Sequence, residues 1–209
     1  MCISGYTCED LFRQDLLLKE AQNSLREIIF HSRGKDALIF VGLPWEQEGK
    51  LYNVAAAVSG GSLLGLVPKK CIPMYSEFYE GRYFSPGNEE VIWTEFDGKP
   101  VPFGSSQLFA CREMEGLKVA AEICEDIWSP KPPSISHAMA GATVIVNLSA
   151  SNENTGKSIY RESLVTGQSA RLVCGYIYTS AGEGESSTDL VFSAHNMIAE
   201  NGTLLAQSA

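Results

Sequence analysis

Several things are scarce in this sequence, and each scarcity excludes something. Positive charge is short, with 16 Lys and Arg against 25 Asp and Glu and a net charge of -9. Nucleic-acid binding needs basic patches facing phosphates, so no nucleic-acid partner is expected. No apolar run approaches the roughly 18 residues of a membrane span, so no membrane partner is expected either. The opening, "MCISGYTCEDLF", is too polar for a secretory signal. Histidine occurs three times, as His31, His137 and His195, which leaves few donors for a Cys–His pair or a metal centre. The six cysteines (Cys2, Cys8, Cys71, Cys111, Cys124 and Cys174) contain no C-x-x-C pair, so a zinc site is not expected. They show no clustered framework, and 209 residues bury a core without covalent staples, which favours a reducing cytoplasm. There is no linker, no internal repeat and no long block of one charge.

What is present is a globular composition, 44% hydrophobic and 20% charged. Residues 9–31 carry Leu18, Ala21, Leu25, Ile28 and Ile29 at three- and four-residue spacing, which predicts one amphipathic helix with Gly34 as its C-cap. "DALIFVGLPW" is continuous enough for a strand buried on both faces. "LYNVAAAVSGGSLLGLVPK" predicts two strands around Gly60-Gly61, and "QLFACREMEGLKVAAEIC" a pair turning near Glu115-Gly116. Residues 71–90 are irregular, aromatic and polar. A short helix over "ISHAMAGA", a buried strand "TVIVNLS", a helix "GKSIYRESLVTGQSARLV" and a strand "CGYIYTSA" follow. "TDLVFSAHNMIAENGTLLAQ" closes the chain as a hairpin, with Asn201-Gly202 suiting a type I′ turn. Strands with helices between some of them imply one α/β domain. The chain opens without a preceding strand and stops just after one, which suggests a domain cut at both ends.

Two residues stand out for chemistry. Cys124 lies in "AAEICEDIW", at a strand end among Glu122, Glu125 and Asp126. Nearby carboxylates disfavour a thiolate, so Cys124 is either an inert buried thiol or a nucleophile whose proton a carboxylate takes. Lys69 ends a hydrophobic strand beside an aromatic loop, either as a solvated strand end or as a site residue. "NLSASNENTGK" is either a helix cap or a polar pocket with Lys157 available for a carboxylate. "VSGGSLLG" has neither the lysine nor the spacing of a phosphate loop and is read as a turn.

Taken in order, "ISGYTCEDLF", "PKKCIPMYSEFYEGRYF", "AAEICEDIW", "NLSASNENTGK" and "GEGESSTDLVFSAHNMI" resemble the glutamine amidohydrolase domain of glutamine-dependent NAD synthetases. That domain is a branch of the nitrilase, or carbon-nitrogen hydrolase, superfamily, and the likeness covers essentially residues 1–209. The resemblance implies a four-layer α-β-β-α sandwich, here missing its first strand, and a Glu-Lys-Cys triad. It maps the nucleophile to Cys124 and the lysine to Lys69, with Lys70 only a neighbour. It places Tyr75, Phe78, Glu125, Ser151 and Lys157 around glutamine, Tyr6 beside the triad and Glu122 in a supporting position. Met74 departs from the polar residue often found there.

The chemistry so implied is attack of the thiol on the glutamine carboxamide, with Lys69 and a backbone N–H stabilising the oxyanion. Glu125 and Lys157 would hold the substrate's α-ammonium and α-carboxylate. The triad's glutamate falls in a segment just ahead of Met1, so these 209 residues are expected to be weakly active or silent. Glu122, two residues before Cys124 on a strand, would share its face but is not expected to replace that base. The domain itself needs no cofactor; ATP, Mg²⁺ and deamido-NAD would belong to an ammonia-accepting synthetase domain outside this chain. Exposed sheet edges favour a homo-oligomer. Two other readings stay open: a stand-alone amidase of the superfamily, and a silent module that binds without turnover.

Overall fold

A computed structural model describes residues 1–187 and 189–208. The chain divides into two compact units, Met1–Ser105 and Ser106–Ala209.

In the first unit a short 3₁₀ turn, Glu9–Arg13, precedes helix α1, Asp15–His31. The single helix expected over 9–31 is therefore broken. Gln14 between the two pieces is extended, at φ -92° and ψ 123°, and Glu9 has a positive φ of 48°. Ala21 and Leu25 form the buried stripe of α1, flanked by Ile28 and Ile29. Ser32, not Gly34, is the C-cap; Gly34, at φ +69°, sits in the turn closed by Lys35 N–H on the Ser32 carbonyl.

Strands β1 (Ile39–Gln47), β2 (Lys50–Ser59), β3 (Ser62–Pro68), β4 (Ile92–Phe96) and β5 (Lys99–Phe103) form a sheet in the order β1-β2-β3-β5-β4. Gly60-Gly61 turns the β2–β3 hairpin as expected, with both glycines at positive φ. The β1–β2 and β4–β5 hairpins turn on Glu48-Gly49 and Asp97-Gly98, also at positive φ. Asp97-Gly98 is a strong hairpin signal that the sequence reading passed over. Val41, Leu43, Trp45, Val54, Ala56, Val58, Leu66 and Phe103 join α1 in one apolar core. The irregular stretch 71–90 holds only a 3₁₀ turn, Glu80–Arg82.

The second unit has β6 (Phe109–Ala110), β7 (Lys118–Ile123), β8 (Val144–Ser149), β9 (Gly175–Ser180), β10 (Met197–Glu200) and β11 (Thr203–Gln207), in the order β11-β10-β9-β8-β7-β6. Its helices are α2 (Glu125–Trp128), α3 (Pro133–Met139) and α4 (Lys157–Leu172). The strands β7, β8 and β9 are mutually parallel, because helices cross over between them. Ala120, Ile145, Tyr176, Val165 and Met197 anchor the core. Asn201-Gly202 turns the last hairpin, at φ 47° and 86°. Among the described residues no helix is long and apolar enough to cross a membrane.

Candidate active site

In the first unit, β3 ends at Pro68 and delivers Lys69, whose side chain is fully buried. Its backbone N–H donates to the Asn53 carbonyl at 2.8 Å, which fixes where the side chain leaves the sheet. Its ammonium pairs with Glu80 Oε2, and the Glu80 carboxylate is buried too. Asn53 Nδ2 donates to Glu80 Oε1 at 2.8 Å, and Tyr6 O–H donates to Oε2 at 3.3 Å. A buried ammonium is tolerated only when a counter-charge and hydrogen bonds satisfy it, and this set does so. Lys70 faces the other way and pairs with Glu89 at the surface. The structure thus separates two adjacent lysines that sequence alone could not. Tyr75 and Phe78 meet edge to face with ring centroids 5.7 Å apart; Phe78 is buried and Tyr75 exposed.

In the second unit, the candidate residues gather at the carboxyl ends of the parallel strands, where open α/β sheets build their sites. Cys124 follows β7 directly, is buried, and has φ 46° and ψ -101°. A non-glycine residue there is strained by about 1–3 kcal/mol and persists only when its surroundings hold it. Two side chains do. Asp126 Oδ2 accepts the Ile123 N–H at 2.8 Å, and Asn147 Oδ1 accepts the Cys124 N–H at 3.1 Å. Because the strand ends at Ile123, strand parity does not carry from Glu122 to Cys124, contrary to expectation.

Glu122 is fully buried, and both its oxygens are engaged: Oε1 accepts from Tyr176 O–H and Oε2 from Ser134 N–H at 2.9 Å. Burial pushes its carboxyl up to about 7; the Tyr176 bond opposes the rise, Asp126 adds to it and Ser134 opposes it. A carboxyl with a raised folded pKa holds its proton more tightly in the folded state. Its contribution therefore favours folding at low pH and is lost as pH rises from about 4.5 through 7, a change of about 3 kcal/mol. The stability of the wild type relative to Glu122→Gln is expected to fall by that order between pH 4.5 and 7.5. Urea midpoints at the two pH values check this, and equal differences would exclude it.

The loop after β8 is not a helix cap. Helix α4 has Gly156 at its N-cap position, at φ 80°, with no capping side chain. Ser149, Ser151 and Asn152 are instead buried, and Ser151 N–H donates to Ser180 Oγ at 3.2 Å. Lys157 donates to Asn152 Oδ1 and lies 5.4 Å from the centroid of the Trp128 ring. Arg161, fully buried on α4, anchors this loop: it donates to the Asn152 carbonyl and to Glu153 Oε2, each at 3.0 Å, and meets His195 Nδ1. Glu125, at the start of α2, is half-buried. Tyr178 is buried on β9, and its phenol is pushed up by burial and by the neighbouring Cys124. Of the motif "GEGESSTDL", Thr188 lies outside the described residues.

The sequence reading missed Glu80, Asn53, Asn147 and Tyr176. The two asparagines carried a usable signal, since each is a lone polar residue inside an apolar strand, in "YNVAAAV" and "TVIVNLS". A buried amide needs partners, and each of these holds a candidate catalytic residue in place.

The carbon-nitrogen hydrolase family model matches residues 1–208, so the chain belongs to that family, an enzyme family. Its fold is the mixed α/β, two-sheet fold of the nitrilase superfamily. A solved glutamine-dependent NAD(+) synthetase from Cytophaga hutchinsonii superposes with a TM-score of 0.87 at 30% identity, covering 99% of this chain and 33% of that one. The glutamine-dependent NAD(+) synthetase of Mycobacterium tuberculosis (strain H37Rv) is 41% identical over 208 residues, all of this chain and 31% of that protein. The chain therefore spans about a third of the length of the relatives it matches. An amidase from Nesterenkonia shares the fold alone, at a TM-score of 0.72 and 17% identity.

Proposed function

We propose that this chain, completed by a general-base glutamate from outside these 209 residues, hydrolyses the side-chain amide of L-glutamine and supplies the ammonia to an NAD-forming synthetase domain. The buried, backbone-strained Cys124 at the end of β7 is the observation that carries the reading. A strained thiol presented where parallel strands end suits a nucleophile, and an inert core cysteine needs no such turn. The identity with glutamine-dependent NAD(+) synthetases supports glutamine as the amide.

In the proposed reaction the Cys124 sulfur bonds to the carboxamide carbon as its proton passes to a carboxylate. The C–N bond then breaks, and ammonia leaves with that proton. Water, deprotonated by the same carboxylate, adds to the thioester and releases L-glutamate and the thiol. The carboxylate is proposed to be the glutamate that the resemblance places just ahead of Met1. Within the second unit Glu122 is a poor substitute, since Tyr176 and Ser134 take both its oxygens. Lys69 supplies positive charge to the oxyanion. Glu125 and Lys157 hold the substrate's charged α-groups, and Tyr75, Phe78 and Ser151 line its pocket. ATP, Mg²⁺ and deamido-NAD bind the synthetase domain.

Ammonia release from L-glutamine, compared with simple aliphatic amides, tests the reading. Preference for glutamine supports it; equal turnover of any short amide points to a general amidase. Lys157→Ala is expected to raise KM about 10- to 100-fold with little change in kcat, since a charge-assisted bond to the α-carboxylate acts on bound substrate and transition state alike. A loss in kcat instead would move Lys157 into the chemistry.

A further inference from the structure

We infer that Asn147, Tyr176 and Glu122 form a one-directional hydrogen-bond chain that positions the Cys124 elbow, and that the chain is complete only while Glu122 is ionised. Every bond runs the same way. Cys124 N–H donates to Asn147 Oδ1 at 3.1 Å, Asn147 Nδ2 donates to the Tyr176 oxygen at 3.2 Å, and Tyr176 O–H donates to Glu122 Oε1. Ser149 Oγ adds a second donor to Asn147 Oδ1 at 2.7 Å, and Ser134 N–H fills Glu122 Oε2. Asn147 cannot turn over without placing its N–H₂ against the Cys124 N–H. Tyr176 keeps it from turning, and the Glu122 carboxylate keeps the Tyr176 hydrogen pointing away from Asn147. Glu122, Asn147, Tyr176 and Ser134 are all buried, so water does not substitute for a lost partner.

The register explains why three strands cooperate. Glu122 of β7 lies beside Asn147 of β8, and Tyr176 of β9 lies one step back, beside Ile145. A long phenol spans that step and reaches both. The other groups around the carboxyl, among the described residues, are Asp126 at the start of α2, Cys174 just before β9, and Ser134 on α3, which also carries the buried His137. From α4, Gln168 donates to Ser134 Oγ at 2.9 Å and so braces the far side.

Protonation of Glu122 adds another donor to a carboxyl at which Tyr176 O–H and both the N–H and the hydroxyl of Ser134 already point. One of these donors then has no good acceptor, and the chain that ends on Cys124 slackens. Glu122→Gln reproduces this at every pH, because an amide offers one oxygen where donors from Tyr176 and Ser134 point at two. These residues act through the backbone of Cys124, not on the substrate, and the effect belongs in kcat.

The inference rests on Cys124 being the nucleophile, and the experiment separates the two. In the natural full-length polypeptide, glutamine hydrolysis is followed from pH 5.5 to 8.5 for the wild type, Glu122→Gln, Tyr176→Phe and Cys124→Ala. Modification of Cys124 by iodoacetamide is followed in parallel by mass spectrometry. The wild-type kcat is expected to exceed that of Glu122→Gln by about 10- to 100-fold at pH 8, with KM within a few-fold, since small misplacement of a reacting group costs that much. The ratio should shrink toward one by pH 6, and Cys124 alkylation should follow it. Tyr176→Phe should lose kcat at all pH values. If Cys124→Ala keeps turning over, the nucleophile reading falls and the inference with it. If Cys124→Ala is inactive but the wild-type to Glu122→Gln ratio does not vary with pH, the positioning chain alone is overturned. That ratio needs only one folded variant, so it still decides the matter if Tyr176→Phe fails to fold.

Discussion

In the natural full-length polypeptide, Cys124→Ala is expected to abolish ammonia release from glutamine, by at least about 10³-fold, while leaving the fold and glutamine binding in place. Removing a nucleophile removes the covalent route altogether, so the loss exceeds that from any supporting group. The substitution is mild structurally, because Cys124 is small and its fixed contacts are made by backbone: its N–H to Asn147 and its carbonyl to Ile127 N–H at 3.2 Å. Alanine also relieves none of the strain at φ 46°, so the elbow keeps its shape. Activity assays beside calorimetric detection of glutamine binding check both halves. Turnover within tenfold of wild type would remove Cys124 from the mechanism.

The second large effect is at Lys69, and it falls on stability as well as on activity. Lys69→Met leaves the Glu80 carboxylate buried with, among the described residues, only the Asn53 and Tyr6 side chains as partners. Breaking a buried pair from one side costs about 3–5 kcal/mol, because a charge is stranded where water cannot reach it. Adding Glu80→Gln should recover much of that loss, since glutamine keeps a neutral carbonyl for Asn53 and carries no charge. Hydrolysis is not expected to recover: loss of an oxyanion-stabilising charge costs about 10²–10³ in kcat whatever the stability. Urea midpoints and ammonia release on the single and double variants separate the two roles. Recovery of both together would make Lys69 merely a structural cation. Lys70→Ala, which breaks the surface pair with Glu89, is the control and should change neither by much.

The cysteine and the lysine were visible in the sequence as an ordered set of short stretches, while the groups that hold them were not. Lys69 needed Glu80, which lies in the irregular aromatic stretch 71–90, where no periodicity says which way a side chain points. Cys124 needed Asn147 and Tyr176, which come from strands that follow it by tens of residues and meet β7 only through parallel pairing. The acidic neighbours that made "AAEICEDIW" puzzling divide by burial. Asp126 ties down the Ile123 N–H, Glu122 accepts from the buried Tyr176 O–H, and Glu125 is half-exposed. Composition could not tell these apart, because three carboxylates within five residues differ only in where the backbone turns.

The strands and their hairpins are local properties. An apolar run beside a Gly-Gly or Asn-Gly pair has one economical conformation, and so β1 to β3 and β7 to β11 were legible in the residues themselves. The break between Arg13 and Asp15 was not, because the same apolar spacing is satisfied by a continuous helix and by a 3₁₀ turn followed by one. Nor was the setting of Cys124. A residue at φ 46° is not preferred by any local signal in "EICED"; it exists because the packed strands β8 and β9 bring an amide acceptor to its N–H and exclude the water that would otherwise compete.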